Sequence, residues 1–278
     1  MFLFPANSLQ LLIGGLLAAI VASAGWWLGW LDMTGALAAF GMGMVVFGIG
    51  GLSWSIVLLT FFISSSLLSK LFKSKKIGSE KYTAKGARRD AGQVLANGGI
   101  ASLFVLMQIF FPNTWWPWLG FAAAFAAANA DTWATEIGAF SKRLPTLITN
   151  GNEVEKGTSG GISLEGTLGS IAGSSVIALV AWAVWPESGP AGSVWLFLVI
   201  CFAGVVGSVT DSFLGATLQR VNYCPNCKVE TEKALLHSCG HTTEYLRGWR
   251  WLDNDWVNFF CTASAAFVAI IMSGGALL

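Results

Sequence analysis

The chain is a succession of apolar stretches, each near the roughly 20 residues that a helix needs to cross a bilayer. Of its 278 residues, 54% are hydrophobic and 11% are charged, against about 25% charged in a soluble domain. This pattern excludes a soluble domain and predicts an all-α, polytopic membrane bundle of about seven or eight transmembrane helices, forming one membrane domain over 1–278. The second and third stretches could instead be one bent helix with a re-entrant piece. The stretches are 8–30, 33–50, 52–69, 93–111, 116–139, 163–185, 193–219 and 256–277.

Positive charge is concentrated in one short segment, which sets the orientation of the chain. Residues 70–90 contain eight lysines and arginines and two acidic residues. Short loops that are this basic stay in the cytoplasm. Because pairs of spans separate them from this segment, loops 140–162 and 220–255 are predicted on the same side. The chain is therefore predicted to lie in the cytoplasmic membrane with its active site facing the cytosol. The net charge of +1 gives no indication of a nucleic-acid partner.

Carboxylates near the ends of two predicted spans are the first candidates for a functional site. Asp131 and Glu136 end the fifth span, and Asp211 lies near the end of the seventh. Ionisable groups inside a membrane are costly and usually functional, although Asp131 could instead cap a helix after a break. On a continuous helix Asp131 and Glu136 lie about 140° apart, so they share a cation only if the helix kinks. We expect Asp131 and Asp211 to bind Mg²⁺, which prefers carboxylate, water and phosphate ligands.

Basic and glycine-rich segments beside these spans supply candidate phosphate ligands. Arg88 and Arg89 could bind phosphate oxygens in a bidentate manner, or the basic loop could only touch anionic lipid headgroups. The loop 156–161 precedes a span, and its glycines let backbone amides turn toward an anion. It lacks the residue order of a Walker A loop. The loop consists of Lys156, Gly157, Thr158, Ser159, Gly160 and Gly161.

Further polar side chains flank these segments and are predicted to bind the substrate or the nucleotide. Gln93 and Asn97 are four residues apart and share a helix face. Asn254 and Asn258 have the same spacing at the start of the last span, where Asp253 or Asn254 could equally cap the helix. The other members of the set are Lys85, Asn129, Thr132, Thr135, Ser212 and Asp255.

Cysteine and histidine cluster in the loop 220–255. A Cys-x₂-Cys pair is followed by His237, Cys239 and His241, which is typical of a tetrahedral zinc site. We expect Zn²⁺ bound by Cys224, Cys227, His237 and Cys239, with His241 left over. Four protein ligands leave no open position on the metal, so the zinc is predicted to be structural.

Five of these motifs form a specific combination. They are Lys85-Gly-x-Arg88-Arg89-Asp90-Ala-x-Gln93-Val-x-Ala-Asn97-Gly-Gly, Asn129-Ala-Asp131-Thr-x-Ala-Thr-Glu136, Gly157-Thr-Ser-Gly-Gly161, Asp211-Ser and Asn254-Asp255-x-Val-Asn258. Over almost the whole chain they resemble the integral membrane family of transmembrane protein 19, also called domain of unknown function 92. That family includes the phytyl-phosphate kinase of tocopherol synthesis. More distantly, the spacing of Asp131, Ala134 and Gly138 is similar to that in polyprenol kinases and phosphatidate cytidylyltransferases, which use CTP and Mg²⁺.

The resemblance implies an enzyme, a kinase that converts an isoprenyl monophosphate to its diphosphate. The phosphate donor would be a nucleoside triphosphate, and we expect it to be CTP. Lys85, Arg88, Arg89 and the loop 157–161 would bind phosphate, and Glu136 is the candidate if a general base is needed. A lipid cytidylyltransferase would use the same reactants but attack the α phosphate. A transporter or flippase of an anionic lipid is the third reading. It would need polar sites near the bilayer midplane, whereas the polar motifs here crowd one predicted face.

Overall fold

A computed structural model of the protein describes residues 8–72, 88–185 and 194–273. Within these ranges, eight long helical segments lie where the eight apolar stretches predicted them. The second continues from an α-helix into π-helical turns, and only after Gly51, with its φ of 78°, does the next helix begin. The two stretches are therefore separate helices, without a re-entrant piece. The segments are α1 Ser8–Trp27, α2 Met33–Gly43 with the π-helical Met44–Gly50, α3 Leu52–Phe72, α4 Ala91–Phe110, α5 Trp116–Gly138, α6 Leu164–Ala183, α7 Val194–Thr217 and α8 Asn254–Met272.

Helix α5 is the centre of the bundle. It contacts α3, α4, α6, α7 and α8, and every residue from Pro117 to Ala130 is buried. Glycines on its neighbours permit this close packing, because a Cβ at Gly173 would lie 2.8 Å from the Asn129 carbonyl oxygen, and one at Gly204 would lie 2.8 Å from the Ala126 Cβ. Such small residues let helices approach closely in a membrane.

The outer helices α1 and α2 present large apolar side chains outward, as a lipid-facing surface requires. Leu12, Leu16 and Ile20 on α1 and Leu37 on α2 are all more than half exposed. Among the described residues, seven segments are long and apolar enough to cross a membrane, with α2 and its π-helical turns counted as one. The eighth, α5, is alanine-rich and enclosed by protein. The predicted polytopic helical bundle is confirmed.

Four helices begin at the same end of the bundle, which we call the polar face. Each has an acidic or hydroxyl N-cap whose side chain accepts a backbone N–H bond: Asp32 before α2, Asp90 before α4, Ser163 before α6 and Asp253 before α8. Such caps satisfy donors that would otherwise lack partners at a helix start. The first two starts are also joined, because the Asp32 amide donates to the Arg89 carbonyl at 3.0 Å.

Two small sheets lie in the loops at the polar face and were not predicted. Strands β1 Thr146–Leu147 and β2 Gly161–Ile162 form an antiparallel pair between α5 and α6. Strands β3 Val221–Cys224, β4 Val229–Thr231 and β5 Glu244–Arg247 form an antiparallel sheet in the order β4-β3-β5. This second sheet follows α7 directly and carries the cysteines and histidines, so we call residues 220–253 the Cys/His unit.

Candidate functional site at the polar face

Two carboxylates from different helices lie close together below the polar face. Asp131 on α5 and Asp211 on α7 are close enough for their charges to interact. Gly207 makes this possible, because a Cβ there would lie 2.5 Å from the Ala127 Cβ on α5 and 2.8 Å from the Cys261 carbonyl on α8. The Asp211 Oδ2 atom is buried and has no hydrogen-bond partner among the described residues. A buried carboxylate oxygen of this kind is suited to a bound cation.

Asp131 is an interior residue of a continuous helix. It lies seven positions before Gly138, where α5 ends, so it is not an N-cap. Glu136 is on a different side of the same helix and accepts a 2.7 Å hydrogen bond from Ser69 on α3. The unkinked helix therefore directs Asp131 toward α7 and Glu136 toward α3, and the two do not share one cation.

Glu232 of the Cys/His unit is a third carboxylate at the polar face, where it bonds to the glycine-rich loop and to the segment just after α7. It follows β4 and lies within electrostatic range of Asp211. Its Oε1 accepts hydrogen bonds from Ser159 Oγ at 2.9 Å and from Gln219 Nε2 at 2.8 Å. The sequence reasoning missed Glu232, since nothing in the linear pattern separates it from the other acidic residues of an exposed loop.

The glycine-rich loop packs on the end of α7, next to Glu232. Gly157 and Gly160 have positive φ values of 92° and 84°. At Gly160 there is also no room for a side chain, since a Cβ would lie 2.6 Å from the Ala216 backbone. Residues 157–159 and 230–232 line a common crevice. By contrast, Lys156 donates to the Ser141 carbonyl, which lies just beyond α5.

The two arginines before α4 diverge. Arg89 reaches into the bundle, where its Nη1 lies 3.4 Å from Ser66 Oγ and its guanidinium stands 5.6 Å from the Phe61 ring centroid. Burial lowers the pKa of Arg89 to about 10 and the charge of Glu136 opposes that shift, so Arg89 is positive at neutral pH. Arg88 is exposed and its guanidinium lies by Gly29 in the α1–α2 turn. Lys85 lies outside the described residues.

Several predicted binding residues are held by local structural bonds. Asn129 is fully buried, accepts from Ser64 at 3.0 Å and donates to the Gly173 carbonyl at 2.8 Å, so it ties α5 to α3 and α6. Gln93 forms a capping box with Asp90 at the start of α4. The side chains of Asn97, Thr132 and Asn258 each donate a hydrogen bond to the backbone carbonyl four residues earlier, at Gln93, Ala128 and Asn254 respectively. Thr135 is exposed, while Ser212, Asn254 and Asp255 are half-buried.

The predicted cysteine and histidine ligands come together. One ligand atom from each of Cys224, Cys227, His237 and Cys239 lies within 4.8 Å of every other, a spacing that a tetrahedral metal ion can bridge. The His237 hydrogen bond lowers the pKa of Cys239 to about 5, whereas bonding to Cys239 raises the pKa of Cys227 to about 11. A cation between the thiols would let all of them ionise. His241 Nδ1 is 3.6 Å from Cys239 Sγ and outside the set.

Comparison with known proteins places the chain in a family. The family model described as integral membrane protein DUF92 matches residues 16–266. The chain is 32% identical to Protein PGR of Arabidopsis thaliana, over 87% of this chain and 89% of the relative. It is 35% identical to an uncharacterized membrane protein of Methanocaldococcus jannaschii, over 68% and 75%. It is 23% identical to Protein VTE6, chloroplastic, of Arabidopsis thaliana, over 87% and 65%. No solved structure matches significantly. The chain therefore belongs to the DUF92 family of integral membrane proteins.

Proposed function

We propose that this protein is a membrane kinase that phosphorylates an isoprenyl monophosphate with CTP. One observation carries the proposal. Asp131 and Asp211, on separate helices, lie close together near a glycine-rich loop at one end of the bundle. The similarity to Protein VTE6 and the resemblance to a family that includes phytyl-phosphate kinase favour the same reaction class. We place the site in the cytoplasmic membrane and facing the cytosol, because the segment 70–90 is strongly basic.

In the proposed reaction an oxygen of the lipid phosphate attacks the γ phosphorus of CTP. A new P–O bond forms, the bond to the β-phosphate oxygen breaks, and CDP leaves. The lipid phosphate is already an anion, so a strong general base is not required, and Glu136 is assigned no proton transfer. Mg²⁺ held by Asp131 and Asp211 would neutralise charge on the donor phosphates. The amides of loop 157–161 and the exposed Arg88 are assigned to phosphate binding.

A groove on the lipid-facing side of α7 and α8 is suited to the isoprenyl tail. It has a volume of about 470 Å³, and Leu214, Phe260 and Phe267 are among its lining residues. Thr210 also lines it, and the next residue is Asp211. On α8, Phe260 is followed by Cys261, which is close to both aspartates. The groove thus passes next to Asp211 on α7 and next to Cys261 on α8, so we assign it to the tail of the lipid whose phosphate reacts at the aspartates.

The test is to incubate the purified protein with CTP, Mg²⁺ and a panel of isoprenyl monophosphates. The kinase produces CDP and the lipid diphosphate. Pyrophosphate with a CDP-linked lipid would instead identify a cytidylyltransferase, since attack would then be at the α phosphorus. Turnover of neither kind, combined with movement of the lipid across the bilayer of reconstituted vesicles, would identify the transporter.

A further inference from the structure

Hydrogen bonds to one carboxylate join the glycine-rich loop to the Cys/His unit. Glu232, just after β4, accepts on its Oε1 atom from Ser159 Oγ at 2.9 Å and from Gln219 Nε2 at 2.8 Å. Gln219 is buried just beyond α7, while Ser159 and Glu232 are half-buried. An ionised carboxylate only accepts hydrogen bonds, so the single hydrogen of the Ser159 hydroxyl is directed at Glu232. The hydroxyl therefore anchors the loop and has no second hydrogen to donate to a phosphate.

The loop also packs closely against the helix end beside which Glu232 lies. A Cβ at Gly215, in the last turn of α7, would lie 3.1 Å from the Gly160 amide nitrogen. Residues 157–159 line a crevice together with Val221 and residues 230–232. The position of the loop thus depends on where β4 and the residue that follows it lie.

The metal ligands of the Cys/His cluster enclose Glu232 along the chain. Cys227 precedes it by five residues and His237 follows it by five. Strand β4, which leads into Glu232, has three residues and lies at the edge of its sheet, and such short pairings have little stability of their own. A metal ion bound by Cys227 and His237 would close the segment between them and so fix β4 and Glu232.

The base of the Cys/His unit is tied to α7 by bonds outside the cluster. Arg247 Nη1, at the end of β5, donates to the Ala216 carbonyl at 3.0 Å. The Trp249 amide donates to the Leu218 carbonyl at 2.8 Å. Loss of the metal is therefore expected to free β4 while β5 stays attached to the bundle.

We propose that the Cys/His unit is a metal-dependent clamp on the glycine-rich loop, with Glu232 as its positioning residue. Metal in the cluster fixes β4, Glu232 then holds Ser159, and the loop keeps the conformation in which its amides can face a phosphate. Loss of the metal releases the loop and lowers its affinity for the phosphate donor, so the cluster regulates binding without taking part in the reaction. That the loop binds phosphate rests on the proposed function, whereas the clamp itself does not.

Hydrogen–deuterium exchange in the purified full-length protein, loaded with Zn²⁺, tests the clamp without any substrate. The Ile148 amide donates to the Gly160 carbonyl at 3.1 Å, so its exchange should be slow while the loop is held. Removal of the metal with a zinc-selective chelator should speed this exchange about tenfold, the effect of losing one hydrogen bond to a charged group. Exchange of the Asp32 amide, which donates to the Arg89 carbonyl, should not change.

Variants of Glu232 separate the clamp from a general loosening of the Cys/His unit. Glu232→Ala should speed exchange as much as chelation does, with the zinc content unchanged. Chelation of that variant should add little, because both changes break the same contact. Glu232→Gln keeps an oxygen that accepts hydrogen bonds and should restore most of the protection. Glu244→Gln is the matched control and should behave as wild type, because Glu244 is exposed on β5 of the same sheet.

In turnover assays, chelation and Glu232→Ala should raise the KM for CTP by similar factors. Three results would overturn the inference and leave the kinase proposal standing: protein that takes up no Zn²⁺, loop exchange that stays the same after metal removal, or an equally large effect of chelation in Glu232→Ala. Protection of the loop that depends on the metal and on Glu232, without any phosphoryl transfer, would overturn the kinase proposal alone.

Discussion

At the scale of single residues, substitutions of Asp131 and Asp211 should lower activity without lowering stability. The two carboxylates are close enough to repel each other. Asp131→Asn or Asp211→Asn removes this repulsion and should leave the melting temperature unchanged or higher. Loss of one cation ligand should nevertheless lower turnover by at least ~10²-fold. Turnover at limiting Mg²⁺ and thermal unfolding, measured on the same preparations, check both expectations. Asp253→Asn is a suitable control, since Asn also caps a helix well. Near-normal turnover in both variants would show that the cation site is wrong.

The two neighbouring arginines are expected to give opposite results. Arg89→Ala should lower stability by about 2 kcal/mol, because it removes a half-buried positive charge near the buried Glu136 and the contact with Ser66. Arg88→Ala should leave stability unchanged, because Arg88 is exposed, and should raise the KM for CTP. Arg88→Lys should raise the KM for CTP by less than Arg88→Ala but should not restore the wild-type value, since lysine cannot form a bidentate pair with phosphate. Denaturation curves and steady-state kinetics of the three variants test this, and equal stability losses at both positions would contradict the assignment.

At the scale of elements, the Cys/His unit should contain about one zinc ion per chain. Elemental analysis of protein prepared without chelators measures the ion directly. Cys224→Ser should lower the zinc content and the melting temperature, because Cys224 is a buried member of the cluster. Cys201→Ser is the control, since Cys201 is on α7, outside that cluster. Full-length protein that contains no zinc, or Cys224→Ser with a normal zinc content, would contradict the prediction.

The groove between α7 and α8 predicts a dependence on the length of the lipid. Ala263 lines the groove, and Ala263→Phe should fill it. We expect KM for a long isoprenyl monophosphate to rise about tenfold, because a few methylene groups of its tail would no longer be buried in the groove. KM for a five-carbon isoprenyl monophosphate should change little. Ala19→Phe places the same side chain on the lipid-facing side of α1 and should leave both KM values unchanged. An equal rise of KM for the short substrate would mean that the groove does not bind the tail.

At the scale of the whole molecule, the polar face should lie in the cytosol. Asn150 is exposed in the loop between α5 and α6, and Asn113 is exposed in the turn at the opposite end of the bundle. A membrane-impermeant maleimide added to intact cells should label Asn113→Cys and spare Asn150→Cys. The wild-type protein reports the background from native cysteines. Labelling of Asn150→Cys from outside would invert the orientation that we propose.

Local chemistry in the sequence determined most of the architecture and part of the site. Apolar stretches of bilayer length have one stable form in lipid, the helix, so all eight segments could be predicted. The ligands Cys224, Cys227, His237 and Cys239 could also be predicted, because their spacing along the chain is itself the signal. The choice of His237 over His241 agrees with the cluster that the structure forms.

Only the tertiary structure decided which polar side chains face one another. The helix periodicity showed that Asp131 and Glu136 diverge, but only packing showed that Asp131 faces α7 and Glu136 faces α3. Asn129 matched a motif, yet its two hydrogen bonds assign it to helix packing. Glu232 had no signal at all, because its hydrogen bonds with Ser159 and Gln219 form only when the Cys/His unit packs beside the glycine-rich loop and the end of α7. Hydrophobic patterning determines which segments are buried, whereas contacts between distant residues depend on how the helices pack against one another.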